Sequence, residues 1–141
     1  MTITLEAAER AIGAGRQQAS NLGIAASLVV CDAAGHIKAF TRMDRAWLGS
    51  IDVALRKAKT SVLFEVETQA LWEVCKPDAQ AHGLESSNDG LITFAGGIPL
   101  RSSSGELLGA VGVSGGQVAQ DYEVAQAASA AFLSFNPNAV R

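Results

Sequence analysis

Arg42, Asp44 and Lys57 are the charged residues whose spacing could do chemistry. Arg42 ends a predicted strand, Asp44 follows it, and Lys57 falls on the next predicted helix. If the three converge, the guanidinium and the ammonium can hold carboxylate groups. The same convergence could instead be an ion-pair network that fixes the strand-to-helix turn. Both uses stay open at this level. Asp121 and Tyr122, the only tyrosine, fall in the first turns of the last predicted helix. Tyr122 could act as a phenolate ligand or simply pack.

The chain has two histidines, His36 and His82, too few for a multi-histidine metal site. One histidine suffices for haem, because the porphyrin supplies the other four nitrogens. His36, on a predicted hairpin, and His82 are the two candidate ligands. His82 lies on a long aperiodic loop, and Met43 is expected in the core. No catalytic signature appears: there is no Ser-x-x-Lys, Gly-x-Ser-x-Gly, Cys-x-x-Cys or His-Glu-x-x-His.

The glycine-rich run Leu107–Gly116 sits in the last strong apolar stretch. Strand alternation puts Leu107, Gly109, Val111 and Val113 on one face. The other face would carry Leu108, Ala110, Gly112 and Ser114, nearly all small. A strand gives up side chains like this where a helix or a flat ligand comes close. Ser114-Gly115-Gly116 opens toward a helix N-terminus, whose free N–H groups can hold an anion.

These residues need elements to position them. Leu5, Ala8, Ile12, Gly15, Ala19 and Leu22 recur at helical steps, with Thr4 as cap and Gly23 as stop. Ala25–Asp32 reads as a buried strand, and Asp32-Ala33-Ala34-Gly35 as a turn. His36–Met43 is the second hairpin arm, with His36, Lys38, Phe40 and Arg42 on one face. The next helix starts at Gly49-Ser50-Ile51-Asp52, with Ser50 as the expected cap. Ile51, Ala54, Leu55, Ala58 and Val62 form its core stripe, while Lys57, Thr60 and Phe64 share another face. A short helix is expected from Thr68 to Val74, capped by Thr68. Residues 75–90 read as a lid or binding loop. Leu91–Phe94 is expected as a short strand, and Pro99 places the strand that follows at a sheet edge. A last helix over about Ala119–Leu133 turns Val124, Ala125, Ala128 and Phe132 inward and ends near Phe135-Asn136-Pro137-Asn138. The order implies one domain, residues 1–141, of α/β (α+β) class, with helices packed on an antiparallel sheet.

A net charge of −3 and a pI near 5.3 argue against a nucleic-acid surface. No basic block suits a membrane, no apolar run approaches the ~20 residues of a span, and Met1–Glu6 is not a signal peptide. Cys31 and Cys75 are expected as two buried thiols in a cytoplasmic, reduced protein. Hydrophobic residues make up 48% of the chain, much of it alanine, which points to apolar area covered in a homo-oligomer.

Several segments resemble the GlcG/HbpS-like family, also called DUF336 or haem-degrading domain. They are Val30–His36, Arg42-Met43-Asp44, Ala46–Asp52, Lys57–Thr60 with Phe64, Gly90–Phe94 with Gly96–Leu100, and Gly109–Gly115 with Asp121. The resemblance runs in order from about residue 4 to residue 133. It implies a profilin-like antiparallel sheet of about five strands flanked by helices, and oligomers. Some members bind haem, one group forms the C-terminal part of a corrinoid adenosyltransferase, and others are catabolic accessory proteins without a settled role. The chain departs from the family at Arg45, where glycine is usual, and at Glu65–Thr68, where a proline commonly precedes the threonine.

The expectation is a haem- or tetrapyrrole-binding protein. Its pocket would use His36 as iron ligand, with Phe40, Arg42, Lys57, Phe64, Gly112 and Ser114 around the cofactor. The alternative is a small lyase, isomerase or hydrolase acting on a carboxylated metabolite. There Arg42 or Lys57 would anchor the acid, and Asp44, His82 or Asp121 would move protons.

Overall fold

A computed structural model describes residues 2–135. Thr4 caps α1 (Leu5–Leu22): its side chain accepts from the Ala7 N–H, and Gly23 closes the helix in the left-handed conformation. The hairpin β1 (Ser27–Asp32) and β2 (Ile37–Arg42) leads to α2 (Gly49–Phe64). A 3-10 turn, Thr68–Leu71, runs into the one-turn helix α3 (Trp72–Cys75). The chain continues through β3 (Gly97–Arg101) and β4 (Leu107–Ser114) into α4 (Val118–Phe135). The expected stop at residues 136–138 lies outside the described residues.

The strands form one antiparallel sheet in the order β2-β1-β4-β3. Helices α1 and α4 pack together on one face, and α2 crosses the other. Pro99 sits in β3, an edge strand, where its missing N–H costs no ladder bond. The α1/α4 side holds the larger core: Leu28, Val30, Leu100, Leu108, Val111, Val113 and Phe132 are all buried. The α2 side is smaller: Val29, Cys31, Ala54, Ala58, Val62 and Ala110.

Four strands are described, one fewer than expected. Leu91–Phe94 is not a strand because side chains, not a ladder, take its backbone groups. Thr60 Oγ1 accepts from the Ile92 N–H (3.1 Å), and Thr68 Oγ1 donates to the Phe94 carbonyl (2.6 Å). Thr68 therefore caps nothing. Nor does Ser50 cap α2; its hydroxyl donates to the Trp47 carbonyl (2.6 Å) and lies 2.9 Å from Ser27 Oγ on β1. On α1, Leu5 is exposed, and Ala7 and Ala11 turn inward with Ala8, Ile12, Gly15 and Ala19. Residues 76–90 are tied down by short turns, and Arg56 of α2 donates to the carbonyls of Asp89 and Gly90.

Two bulges change which residues share a face. Val30 pairs with Ala39 but Cys31 with Ile37, so Lys38 is an extra residue in β2. Leu100 pairs with Gly109 but Arg101 with Leu107, so Leu108 is extra in β4. Leu107 therefore packs on the α2 side and Leu108 on the α1/α4 side, the reverse of strict alternation. Phe40 and Arg42 still share a face, opposite Val29 and Ser27, but Lys38 leaves it.

Candidate functional site

The polar centre of the molecule forms where α2 meets the end of β4. Lys57 is fully buried. Its Nζ donates to the Val113 carbonyl (2.8 Å) and to Asp121 Oδ2 (3.2 Å), and it lies 5.1 Å from the centre of the Phe94 ring. Asp121, in the first turn of α4, is also buried, and its Oδ1 accepts from the Gly116 N–H (2.8 Å). The helix N-terminus that looked ready for an outside anion thus holds the protein's own carboxylate. Gln120 Oε1 takes the next N–H, that of Gln117 (2.9 Å).

Burial pushes the Lys57 ammonium below its ordinary pKa, and Asp121 opposes that shift. Burial likewise raises the Asp121 carboxyl, against the pull of Lys57 and of the Gly116 and Gly115 N–H groups. Every contact around the pair suits its charged form: the ammonium points at a carbonyl, a carboxylate and a ring face, and the carboxylate meets an ammonium and N–H groups. With two of its donors taken up this way and its side chain fully buried, Lys57 cross-links α2, β4 and α4.

The backbone over Lys57 must be glycine. A Cβ at Gly96, which has a φ of +130°, would lie 2.6 Å from Nζ. Thr68 locks this segment from the other side, accepting from the Gly97 N–H (3.1 Å) while donating to Phe94. Thr68, Lys57 and Asp121 thereby fix where Phe94 sits.

Outside Phe94 lies an open, largely apolar groove of about 720 Å³. Trp72, Phe94 and Val118 form its walls and are 43%, 44% and 47% exposed. Gln69 lines one side; its Nε2 donates to Glu67 Oε1 (2.8 Å), and the same oxygen accepts from Tyr122 Oη (2.9 Å). That bond to Glu67, helped by burial, raises the Tyr122 pKa, so Tyr122 is a phenol donor and not a phenolate. Gln69 Oε1 is buried without a hydrogen-bond partner among the described residues. A large apolar hollow with a few fixed polar groups, beside residues of shifted pKa, is where a small ligand is expected.

Of the residues singled out in the sequence, the structure joins Lys57 and Asp121 and leaves the others apart. Gly112 is covered: a Cβ there would lie 2.1 Å from the Ala54 carbonyl oxygen and 2.7 Å from the Ala58 nitrogen. The small face of β4 therefore receives a helix and has no room for a flat ligand. Ser114 ends β4 half-buried, opposite Ser27. Phe64 is the last residue of α2 and half-buried. Phe40 lies on the edge strand β2. His36 sits on the exposed hairpin turn, Nδ1 3.9 Å from Asp32, and His82 is exposed with Nδ1 3.4 Å from the Cys75 carbonyl. Arg42 and Asp44 line a different hollow, beside α1. The Arg42–Asp44–Lys57 convergence does not form, because Lys57 points under β4 while the other two are exposed at the far end of β2.

Sequence reasoning missed Trp72, Phe94, Val118 and Gln69. Their only advance signal was the pair of glycines after Phe94, which marks a backbone pressed against something large.

Three layers, with a four-stranded antiparallel sheet between a helix pair and a single helix, define a domain of α+β class. Within it, the sequence model of the haem-degrading HbpS-like proteins matches residues 3–130, and the chain belongs to that family. It is 35% identical over 128 residues to an uncharacterized 15.0 kDa protein from the dhaT-dhaS intergenic region of Citrobacter freundii, covering 90% of this chain and 89% of that one. It is 39% identical over 116 residues to the corrinoid adenosyltransferase PduO of Salmonella typhimurium, covering 82% of this chain but 34% of PduO. The structure of a PduOC:heme complex superimposes with a TM-score of 0.89 at 35% identity, covering 93% of this chain and 95% of that one. No helix among the described residues is long and apolar enough to cross a membrane.

Proposed function

We propose that this protein binds haem or a related tetrapyrrole in the Trp72–Phe94–Val118 groove. The observation that carries the reading is the groove itself, open and walled by two exposed aromatic rings. Flat apolar macrocycles stack on such rings, and exposed aromatics gain most from being covered. A haem complex of a relative with the same fold supports the choice of ligand.

The residues present fit the macrocycle. Trp72 and Phe94 would hold its faces and Val118 its edge. When bound, haem would supply a redox-active iron. The groove has no imidazole, since His36 and His82 lie elsewhere. Its side-chain oxygens come from Gln69, Thr93 and Glu73, and Glu73 is paired with Lys76 at 2.9 Å.

Haemin titration tests this reading. A saturable Soret shift is expected, weakened at least about tenfold, ~1.4 kcal/mol, in Trp72→Ala and in Phe94→Ala. His36→Ala and His82→Ala should bind as the parent does. Absence of saturable binding, or full binding by both aromatic variants, overturns the reading. A spectrum changed only by His36→Ala would move the site to the hairpin turn.

The bound form is expected to be a homo-oligomer. Trp47 and Leu48, 80% and 72% exposed between β2 and α2, form a protruding apolar pair that self-association would cover. Light scattering should show at least a dimer, and Trp47→Glu with Leu48→Glu should reduce it. A monomer mass for the parent protein removes this expectation.

A further inference from the structure

Glu67, Thr68 and Gln69 are consecutive, and their side chains tie the groove to different parts of the molecule. Glu67 Oε1 accepts from Tyr122 Oη on α4 (2.9 Å). Thr68 Oγ1 donates to the Phe94 carbonyl and accepts from the Gly97 N–H. Gln69, which lines the groove, donates from Nε2 to the same Glu67 oxygen that Tyr122 reaches (2.8 Å). The 3-10 turn over these residues then delivers Trp72, the aromatic wall on this side.

Another wall is Val118, and Tyr122 stands one turn after it on α4. Residues four apart share one face of a helix. The Tyr122–Glu67 bond therefore joins the element that carries Val118 to the element that carries Trp72, across 55 residues of sequence. Both partners are half-buried, which shields the bond from water. Neither lines the groove itself. An open groove has nothing between its walls to fix their separation, so ties outside it must do so. That separation matters to a flat ligand, because a gap of ~0.5–1 Å forfeits roughly a quarter to a half of the dispersion attraction at a wall.

We propose that Glu67 and Tyr122 are positioning residues for the groove: their hydrogen bond sets the separation of the Trp72 and Val118 walls, and with it the affinity for a flat ligand. The proposal rests on the reading of the groove as a tetrapyrrole site. Both residues act through Gln69, Trp72 and Val118, without touching the ligand.

Haemin titration of the full chain tests the proposal. Tyr122→Phe keeps the ring, which packs against the α1/α4 core, and loses only the hydroxyl. It should bind haemin about fivefold more weakly, the worth of one hydrogen bond. Glu67→Leu should weaken binding by a similar factor, whereas Glu67→Gln keeps an acceptor oxygen and should bind as the parent does. The double variant Tyr122→Phe/Glu67→Leu should bind no more weakly than either single variant, because the same bond is lost in all three. A second readout needs no ligand. In a Trp47→Phe background Trp72 is the only tryptophan, and adding Tyr122→Phe should let acrylamide quench its fluorescence more readily. Additive losses in the double variant, or parent-like haemin affinity and quenching in Tyr122→Phe, overturn the proposal and leave the groove as a haem site. Failure of the parent to bind haemin overturns the reading of the groove instead. The quenching comparison then decides by itself whether the bond holds the Trp72 wall.

Discussion

The two faces of the sheet solve the same problem in opposite ways. Toward α1 and α4 the strands offer large aliphatic side chains, Leu28, Val30, Leu100, Val111 and Val113, and the helices answer with alanines and Phe132. Toward α2 the middle of β4 offers Ala110 and Gly112, and the helix answers with Ala54 and Ala58. One face is held apart by side chains; the other lets backbones nearly touch. Close approach also brings polar groups together, so the Ser27–Ser50 contact and the Lys57–Asp121 pair both lie on the α2 side. The chemistry of this molecule gathers where packing left least room for hydrocarbon.

The largest test of that contrast is Lys57→Met. It leaves the Asp121 carboxyl buried without its ammonium and should cost about 4 kcal/mol in urea unfolding, as breaking a buried pair does. Lys57→Met combined with Asp121→Leu should recover much of the loss. A single-variant cost under about 1 kcal/mol would mean that the pair is not sealed from water.

Next come matched substitutions on the two faces. Gly112→Ala adds one carbon against the α2 backbone and should cost about 3 kcal/mol. Leu28→Ala removes three carbons from the opposite face and should cost a similar amount, about 3 kcal/mol. If Gly112→Ala melts like the parent, α2 does not press on β4 and the contrast fails.

A smaller effect should appear at high pH. Burial on the α2 side pushes the Cys31 thiol up to about 12, from an ordinary value of 9.0. The folded state keeps its proton while the unfolded state loses it. The group's contribution to stability is therefore complete below pH 9 and falls by about 1.4 kcal/mol per pH unit between 9 and 12. Subtracting the profile of Cys31→Ala from that of the parent isolates this slope, and identical profiles would contradict the burial. Thiol-labelling of the native protein at pH 8 should be slow.

The smallest effect concerns the connection that delivers α2 to the sheet. Arg45 has a φ of 70°, a left-handed conformation that costs an arginine about 1 kcal/mol relative to glycine. Arg45→Gly should raise stability by up to about 1 kcal/mol, or about 3 °C in Tm. A lower Tm would show that the Arg45 side chain makes contacts in solution that outweigh its backbone strain.

Much of the framework was legible in the residues. The Thr4 cap, the Gly23 stop, the buried strand expected over Ala25–Asp32 and found at Ser27–Asp32, and the edge position of Pro99 each follow from local chemistry. The buried thiols of Cys31 and Cys75 were also expected. The departure from family glycine at Arg45 fell on a residue that needs a positive φ. The site was far less legible. Gly112 was read both as a close-packing glycine and as a ligand wall, and only the position of α2 separates the two. His36 and Lys57 attracted attention by residue type, yet one lies in water and the other is sealed beneath Phe94.

By itself the sequence determined the element order, the antiparallel class of the sheet and the family, because periodicity, caps, turn residues and motif spacing are properties of neighbouring residues. Tertiary structure alone decided the two bulges, the loss of a fifth strand and the placing of every functional side chain. Those depend on contacts between residues far apart in the chain. Thr68 meets Phe94, and Lys57 meets Asp121. No local rule fixes which distant partner a polar group will find, and in this protein those partners choose between a ligand site and a structural cross-link.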